Sequence, residues 1–484
     1  MEIEDKSSVI FGNRIDKKTI KKGLKSKAKY VKKFGDDSRK VYHLKAEPVP
    51  TLSNMNVQNL VFSDKKMEFP SNAVVVGNIR MGFGHYRISM AMASCAKALG
   101  YEPYWLDLAS FDATGSKMIR DQNNLYSLAS RISQVSHLFN RFIWEPLNSE
   151  GFRKITYNST DQRNSELLVP VFNDLPKDIP YIATHVWPAQ GAVHAGLTHV
   201  VNAIPDNWPM GLHLSEGAIH TVQTPFAYLG YKMLNGMAKE PLKGMPEKDL
   251  YEVGHYVDHE LVSNIDRDCD LRVRRINKGE PNRILMSVGG AGAGEKLFLE
   301  MVRHLIPYVQ EKKAAVFLNF GDHLDVYEYL VKKIPGFDKK VTTFFDKYDD
   351  LVKFADQMDS THVEGIFCIC NKNIFEAVYS TNLLMRHVEF LITKPSELAY
   401  YPIVKVMMRH IGGHEVYGAI NARELGDSTF ECPDEKSMNE MLDRLLTDKE
   451  LLIHLTRQIQ KLNKCGIYNG AYEVVKLAVN GRPE

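Results

Sequence analysis

The stretch VVVGNIRMGFGHYRISMAMASCAKALG, Val74 to Gly100, decides the fold. Its valines form the short β-branched run of a strand buried in a parallel sheet. The chain then turns through Gly82 and Gly84, and Tyr86–Leu99 fits a helix. Strand, glycine turn and helix open a doubly wound α/β unit. Glycines at such a turn let backbone come close to a ligand, and the helix behind it offers free N–H groups to an anion. His85 stands at the mouth of the turn. An unperturbed pKa near neutrality suits it to general-base work, while packing on the turn is the alternative role.

Outward from this unit the pattern repeats. Strands are expected at Glu102–Leu108, Tyr181–Thr184, His199–Ile204 and Ile219–Gln223, with a helix over roughly Gly115–Ile143. The polar stretch IDRDCDLRVRRINKGEPN, residues 265–282, is expected to be a connector. A second unit then starts, with strands at Arg283–Val288, Ala314–Phe320, Val341–Phe345, Val363–Ile369 and Val388–Thr393 and a helix ending near Tyr308. Asp434–Val479 is expected to be helical. The fold class is therefore α/β, two Rossmann-like doubly wound domains facing a cleft. The expected divisions are a basic N-terminal extension (1–70), a first domain (71–265), a second domain (282–465) and a C-terminal helix (466–484) returning to the first.

The 484 residues suffice for two or three domains, and 44% apolar with 25% charged residues is ordinary globular composition. A net charge of +2 gives no global field to attract nucleic acid. No apolar run reaches the roughly 18 residues of a spanning helix. The start MEIEDKSS lacks the apolar core of a signal peptide, and the six cysteines have no paired spacing, so a cytoplasmic protein with reduced thiols is expected. Cys368 and Cys370 alternate within GIFCIC, as in a buried strand. Between Lys17 and Lys33 lie nine lysines and no acid, with Ile20, Leu24, Ala28 and Val31 at helical spacing. Such a helix either packs on its own protein or lies on an anionic membrane surface.

Two more constellations carry chemistry. Ser287–Gly294, SVGGAGAG, places Gly289, Gly290, Gly292 and Gly294 between a strand and a helix, more glycine than a tight turn needs and suited to a diphosphate. Thr393-Lys394-Pro395-Ser396-Glu397 ends a strand and starts a helix, and His414-Glu415 follows a glycine pair. His410 and His414 could be read as metal ligands, but no third ligand has matching spacing. His185, His194, His199, His213 and His220 crowd the middle of the first unit, with Trp187 and Trp208 nearby.

Taken in order, the G-F-G-H turn, A-T-H-V-W-P (183–188), V-V-N-A-I-P-D-N-W (200–208), the second glycine turn and T-K-P-S-E resemble a GT-B glycosyltransferase. More narrowly they resemble the diacylglycerol glycosyltransferases and the lipid-linked N-acetylglucosaminyltransferase of peptidoglycan synthesis. The resemblance implies transfer of a sugar from a nucleoside-diphosphate sugar, a UDP-sugar first of all, to a hydroxyl acceptor such as a lipid or glycan. It implies His85 and Asp206 as catalytic residues. It implies Gly82, Gly84, Gly289, Gly290, Gly292, Gly294, Lys394, Ser396, Glu397, His414 and Glu415 around the donor, and His185 and Trp208 on the acceptor side. No metal or cofactor is required beyond the donor co-substrate, and a peripheral site at the inner membrane face would suit a lipid acceptor. The sequence departs from the family in Phe83 within the first turn, in Pro395-Ser396 after the lysine, and in lacking the glutamine-rich motif. A nucleotide-sugar epimerase and a non-catalytic nucleotide- or glycan-binding homologue are the competing readings. A dinucleotide oxidoreductase is more distant, because neither turn carries GxGxxG.

Overall fold

The structure, a computed structural model, describes residues 5–135, 146–288, 295–410 and 412–482. After a short hairpin, β1 (Val9–Ile10) and β2 (Asn13–Arg14), and helix α1 (Lys17–Phe34), the chain builds two large sheets. The first holds β3 (His43–Pro48), β4 (Gln58–Ser63), β5 (Ala73–Asn78), β6 (Glu102–Asp107), β7 (Tyr181–Ala183), β8 (Val200–Ala203), β9 (Ile219–Val222) and β10 (Leu250–Glu252). Their order across the sheet is β10-β9-β8-β7-β5-β6-β4-β3, parallel except for the edge strand β3. The second holds β11 (Asn282–Ser287), β12 (Ala314–Asn319), β13 (Val341–Phe345), β14 (Gly365–Cys370), β15 (Phe390–Thr393), β16 (Val404–Met408) and β17 (Ser428–Cys432), all parallel, in the order β13-β14-β12-β11-β15-β16-β17. Helices cover both faces, so the fold is two Rossmann-like doubly wound units.

The strand–turn–helix at Val74–Gly100 forms as its composition dictates. β5 is buried along its whole length, and α2 (Gly84–Ala98) packs Ile88, Met92 and Ala96 against it. The helix Gly470–Asn480 covers the same cluster with Ala471, Val474 and Ala478. The second helix of the first unit, α3, runs over Thr114–Val135, and the expected end at Ile143 lies outside the described residues.

Three expectations need correction. Residues 265–282 are no connector: Ile265–Lys278 is a helix packed on the second unit's core through Ile265, Cys269 and Ile276. Its inward face also carries arginines, which disguised the apolar stripe. Arg272 Nε donates to Val388 O at 2.8 Å, and Arg275 Nε to Glu389 Oε1 at 2.6 Å. The strand β16 was not foreseen because Lys405 interrupts its apolar run, and that lysine is buried 2.7 Å from Asp427 Oδ2. Residues 1–70 are not a mere extension either, since β3 and β4 widen the first sheet.

Within that segment α1 docks on the helix Ile155–Ser165, but not by the stripe expected. Gly23 and Tyr30 are buried, whereas Leu24 is 48% exposed. A Cβ on Gly23 would lie 3.3 Å from Arg163 Cβ. Lys27 and Lys33 pair with Glu166 and Asp121, each at 2.5 Å. Lys17, Lys18, Lys21, Lys22, Lys25, Lys29 and Lys32 form one exposed face. We expect Gly23→Leu to cost about 1–3 kcal/mol by prying the two helices apart. Leu24→Glu should stay within about 0.5 kcal/mol, both read from urea unfolding.

Candidate functional site

In a doubly wound sheet, ligands gather outside the carboxyl ends of the strands where the strand order reverses. The first sheet reverses between β5 and β7, the second between β11 and β15. The expected motifs fall at these two points. The turn with Gly82, Gly84 and His85 follows β5, and Thr184-His185 follows β7. In the second sheet, Lys394, Ser396 and Glu397 follow β15. Gly289, Gly290, Gly292 and Gly294 follow β11 but lie outside the described residues.

His85 Nδ1 sits 2.7 Å from Thr184 O. A carbonyl can only accept, so Nδ1 carries the proton and Nε2 keeps its lone pair. Burial lowers the His85 pKa, opposed by the Thr184 bond and by the charges of Asp206 and Glu397. The His185 ring stands perpendicular to that of His85, centroids 4.9 Å apart. Its Nδ1 accepts from Trp187 N at 3.2 Å, capping the helix Val186–His194. Burial, then the neighbouring His85 and His213, hold the His185 pKa well below its ordinary value.

Asp206 lies beyond β8 with its side chain 34% exposed, and His213 Nε2 is 3.2 Å from its Oδ2. Burial alone would raise this carboxyl; the His213 hydrogen bond and the charges of His414, His213 and His85 outweigh it and hold the pKa well below the usual range. His414 comes from the second unit, so the site draws on both. Lys394 Nζ is 2.6 Å from Glu415 Oε1. Ser396 precedes a single 3-10 turn, Glu397–Tyr400, rather than the longer helix expected. His410 Nδ1 is engaged 2.6 Å from Glu431 Oε1. Among the described residues no three His, Cys, Asp or Glu side chains form a metal-holding group. Trp208 stacks on Tyr417 of the second unit at 4.4 Å and 14°, with the Arg153 guanidinium 4.3 Å from its ring.

The first glycine turn also makes the junction between the units, which explains its unusual phenylalanine. Phe83 is buried against Gly321, whose φ of +64° and lack of Cβ admit the ring: a Cβ there would lie 2.5 Å from Phe83 Cζ. Arg80 pairs with Asp322. The N-terminus of α2, expected to be open to an anion, faces the Glu397 carboxylate instead, and a Cβ on Gly84 would sit 3.1 Å from Glu397 Oε2.

Arg87, which sequence reasoning missed, is 1% exposed on α2 and donates Nη1 to Val378 O at 3.2 Å and to Asn382 Oδ1; Glu397 Oε1 is 3.4 Å from its Nε. Asn382 passes the network to Asp258 at 2.9 Å. Burial, reinforced by Glu260, pushes the Asp258 carboxyl up to about 7. An acid raised above its unfolded value near 3.9 changes nothing below that value, costs stability progressively as pH climbs from there to its folded value, and keeps that full cost above it. Asp258→Asn is therefore expected to gain stability relative to the parent between pH about 4 and about 7. Parallel urea titrations at several pH values check this.

Residues 9–233 match a family model described as "Domain of unknown function (DUF6937)", and residues 245–479 match a second, "Domain of unknown function (DUF6938)". No curated protein matches the chain. Among solved structures the chain is similar to S. aureus MnaA in its UDP co-structure, at 13% identity and TM-score 0.43, over 84% of this chain and 95% of that one. It is similar to UDP-GlcNAc 2-epimerase from Neisseria meningitidis bound to UDP-GlcNAc, at 10% identity and TM-score 0.43, over 84% and 100%. A third is the trehalose 6-phosphate synthase from Burkholderia multivorans, at 12% identity and TM-score 0.41, over 85% and 98%.

Proposed function

We propose that the chain transfers a sugar from a nucleoside-diphosphate sugar, a UDP-sugar in the first instance, to a hydroxyl acceptor held in the first unit. His85 Nε2 takes the acceptor's proton, the acceptor oxygen bonds to the anomeric carbon, and the bond from that carbon to the diphosphate breaks. The single observation carrying this reading is the His85–Thr184 contact, which leaves the lone pair of Nε2 free, with the Asp206 carboxylate near enough to act on the ring. Asp206 is the countercharge for the imidazolium that forms. Backbone N–H groups at Gly289, Gly290, Gly292 and Gly294 would receive the diphosphate, helped by the dipole of the helix Glu295–Gln310. Lys394, Ser396 and Glu397 border the nucleoside side. His414 and Glu415 approach the sugar, Gly82 and Gly84 keep the first turn close to it, and His185 and Trp208 flank the acceptor.

The narrower assignment within this reading is the diacylglycerol and lipid-linked glycosyltransferase group, on the order of the motifs. The exposed lysine face of α1 supports docking on an anionic membrane surface and a peripheral location at its inner face.

One observation favours an epimerase instead: two carboxylates, Asp206 and Glu397, both act on His85. Product analysis by NMR separates the two. Transfer predicts UDP release that depends on an added hydroxyl acceptor. Epimerisation predicts a changed sugar on intact nucleotide with no acceptor present, and that result would replace the transferase reading.

A further inference from the structure

Asp206 has a second set of neighbours, reached through His213. Tyr231, in the helix Pro225–Lys232, is fully buried and places its hydroxyl 2.7 Å from His213 Nδ1. The same hydroxyl oxygen accepts from Met210 N at 3.2 Å, and Trp208 O lies 3.5 Å away. We propose that Tyr231 and His213 form a positioning arm that fixes the direction of the hydrogen bond onto Asp206 and thereby holds its carboxylate toward His85.

The direction follows from counting donors. Met210 N–H can only donate, so the Tyr231 oxygen accepts there and spends its own proton elsewhere. Of the two acceptors in reach, His213 Nδ1 is the nearer by a wide margin. With Nδ1 accepting, a neutral His213 carries its proton on Nε2, pointed at Asp206 Oδ2 3.2 Å away. The chain Met210 N–H, Tyr231 O–H, His213, Asp206 therefore runs one way, from the core to the cleft. Its first three members are buried and its last is partly exposed. The His213 backbone is held as well, since Asn202 Nδ2 donates to His213 O at 2.7 Å. An acceptor-only carboxylate at the end of a directional arm has every reason to stay ionised. The titratable groups facing His85 are then the Asp206 and Glu397 carboxylates and the His213 and His185 rings, with the Thr184 carbonyl on its Nδ1. The catalytic meaning of the arm rests on the transferase reading; its tautomer does not.

The test is histidine ¹⁵N NMR on the full chain, needing no turnover. His213 is expected as the Nε2–H tautomer and His85 as Nδ1–H. Asp206→Asn is expected to lower the His85 protonation midpoint by about one pH unit, a tenfold loss of proton affinity. Tyr231→Phe should move His213 toward a tautomer mixture and shift the His85 midpoint in the same direction. An Nδ1–H His213 in the parent protein overturns the proposal outright, even if Tyr231→Phe does not fold. A folded Tyr231→Phe with both His213 and His85 unchanged overturns it too. Loss of sugar transfer as a function would leave all of these signals in place, so the two failures are distinguishable.

Discussion

His85→Asn is expected to abolish sugar transfer while leaving the fold and the nucleotide site intact. The asparagine amide can keep the donor end of the bond to Thr184 O, which the ring now makes from Nδ1 at 2.7 Å. It cannot supply the lone pair that Nε2 holds toward the cleft. Positioned bases contribute about 10²–10⁴-fold, so kcat should fall by that factor while nucleotide affinity changes by less than about twofold. The pH profile adds a second constraint. Burial lowers the His85 pKa, so the base is unprotonated at neutrality and the parent rate should be flat at and above pH 7, falling only in acid. Initial rates across pH for the two proteins decide the matter. An unchanged kcat in His85→Asn removes His85 from the chemistry.

Arg87→Ala is expected to give the largest loss of stability of any single change at the junction. The guanidinium is buried between the units and serves Val378 O, Asn382 and Glu397 together. Its removal leaves two acceptors on the helix Ile374–Met385 without their donor and leaves the Glu397 carboxylate beside α2 without its cation. Breaking a buried pair from one side typically costs about 3–5 kcal/mol. Arg87→Lys should recover little, since one ammonium cannot span partners that the planar fork reaches simultaneously. Urea unfolding gives the number. A cost below about 1 kcal/mol would mean that Arg87 does not join the units in solution.

The parts of this molecule legible in its sequence are those set by neighbours along the chain. VVVGN followed by a glycine turn is a strand and a helix start for reasons that span a few residues, and β5 and α2 form there. The same local logic located Thr184-His185 and Thr393-Lys394, because carboxyl ends of β7 and β15 are where such turns must fall. What escaped was decided by partners far away in sequence. Lys405 disguised a strand because Asp427 neutralises it, and Arg272 and Arg275 disguised a helix because backbone and Glu389 acceptors meet them. Leu24 and Gly23 exchanged roles because Arg163 and Thr160 press on the glycine side of α1. At the site, His213 stood out only as one histidine among several. Its importance depends on Tyr231 and Asp206 converging on its two ring nitrogens, which no spacing reveals. Phe83 looked like a flaw in a glycine turn until Gly321 supplied the space for its ring.

The most direct test is a thermal-shift series with the full-length protein against UDP, GDP, ADP, CDP, their sugar conjugates and NAD(P). A ligand that binds the folded state alone raises the melting midpoint by mass action, by about 2.7 kcal/mol of apparent stability at a hundredfold excess over Kd. One nucleoside diphosphate and its sugars, UDP first, should stabilise the protein, with the shift lost in Gly292→Val. Silence from every nucleotide sugar would contradict the claim that the two sheets enclose a donor site.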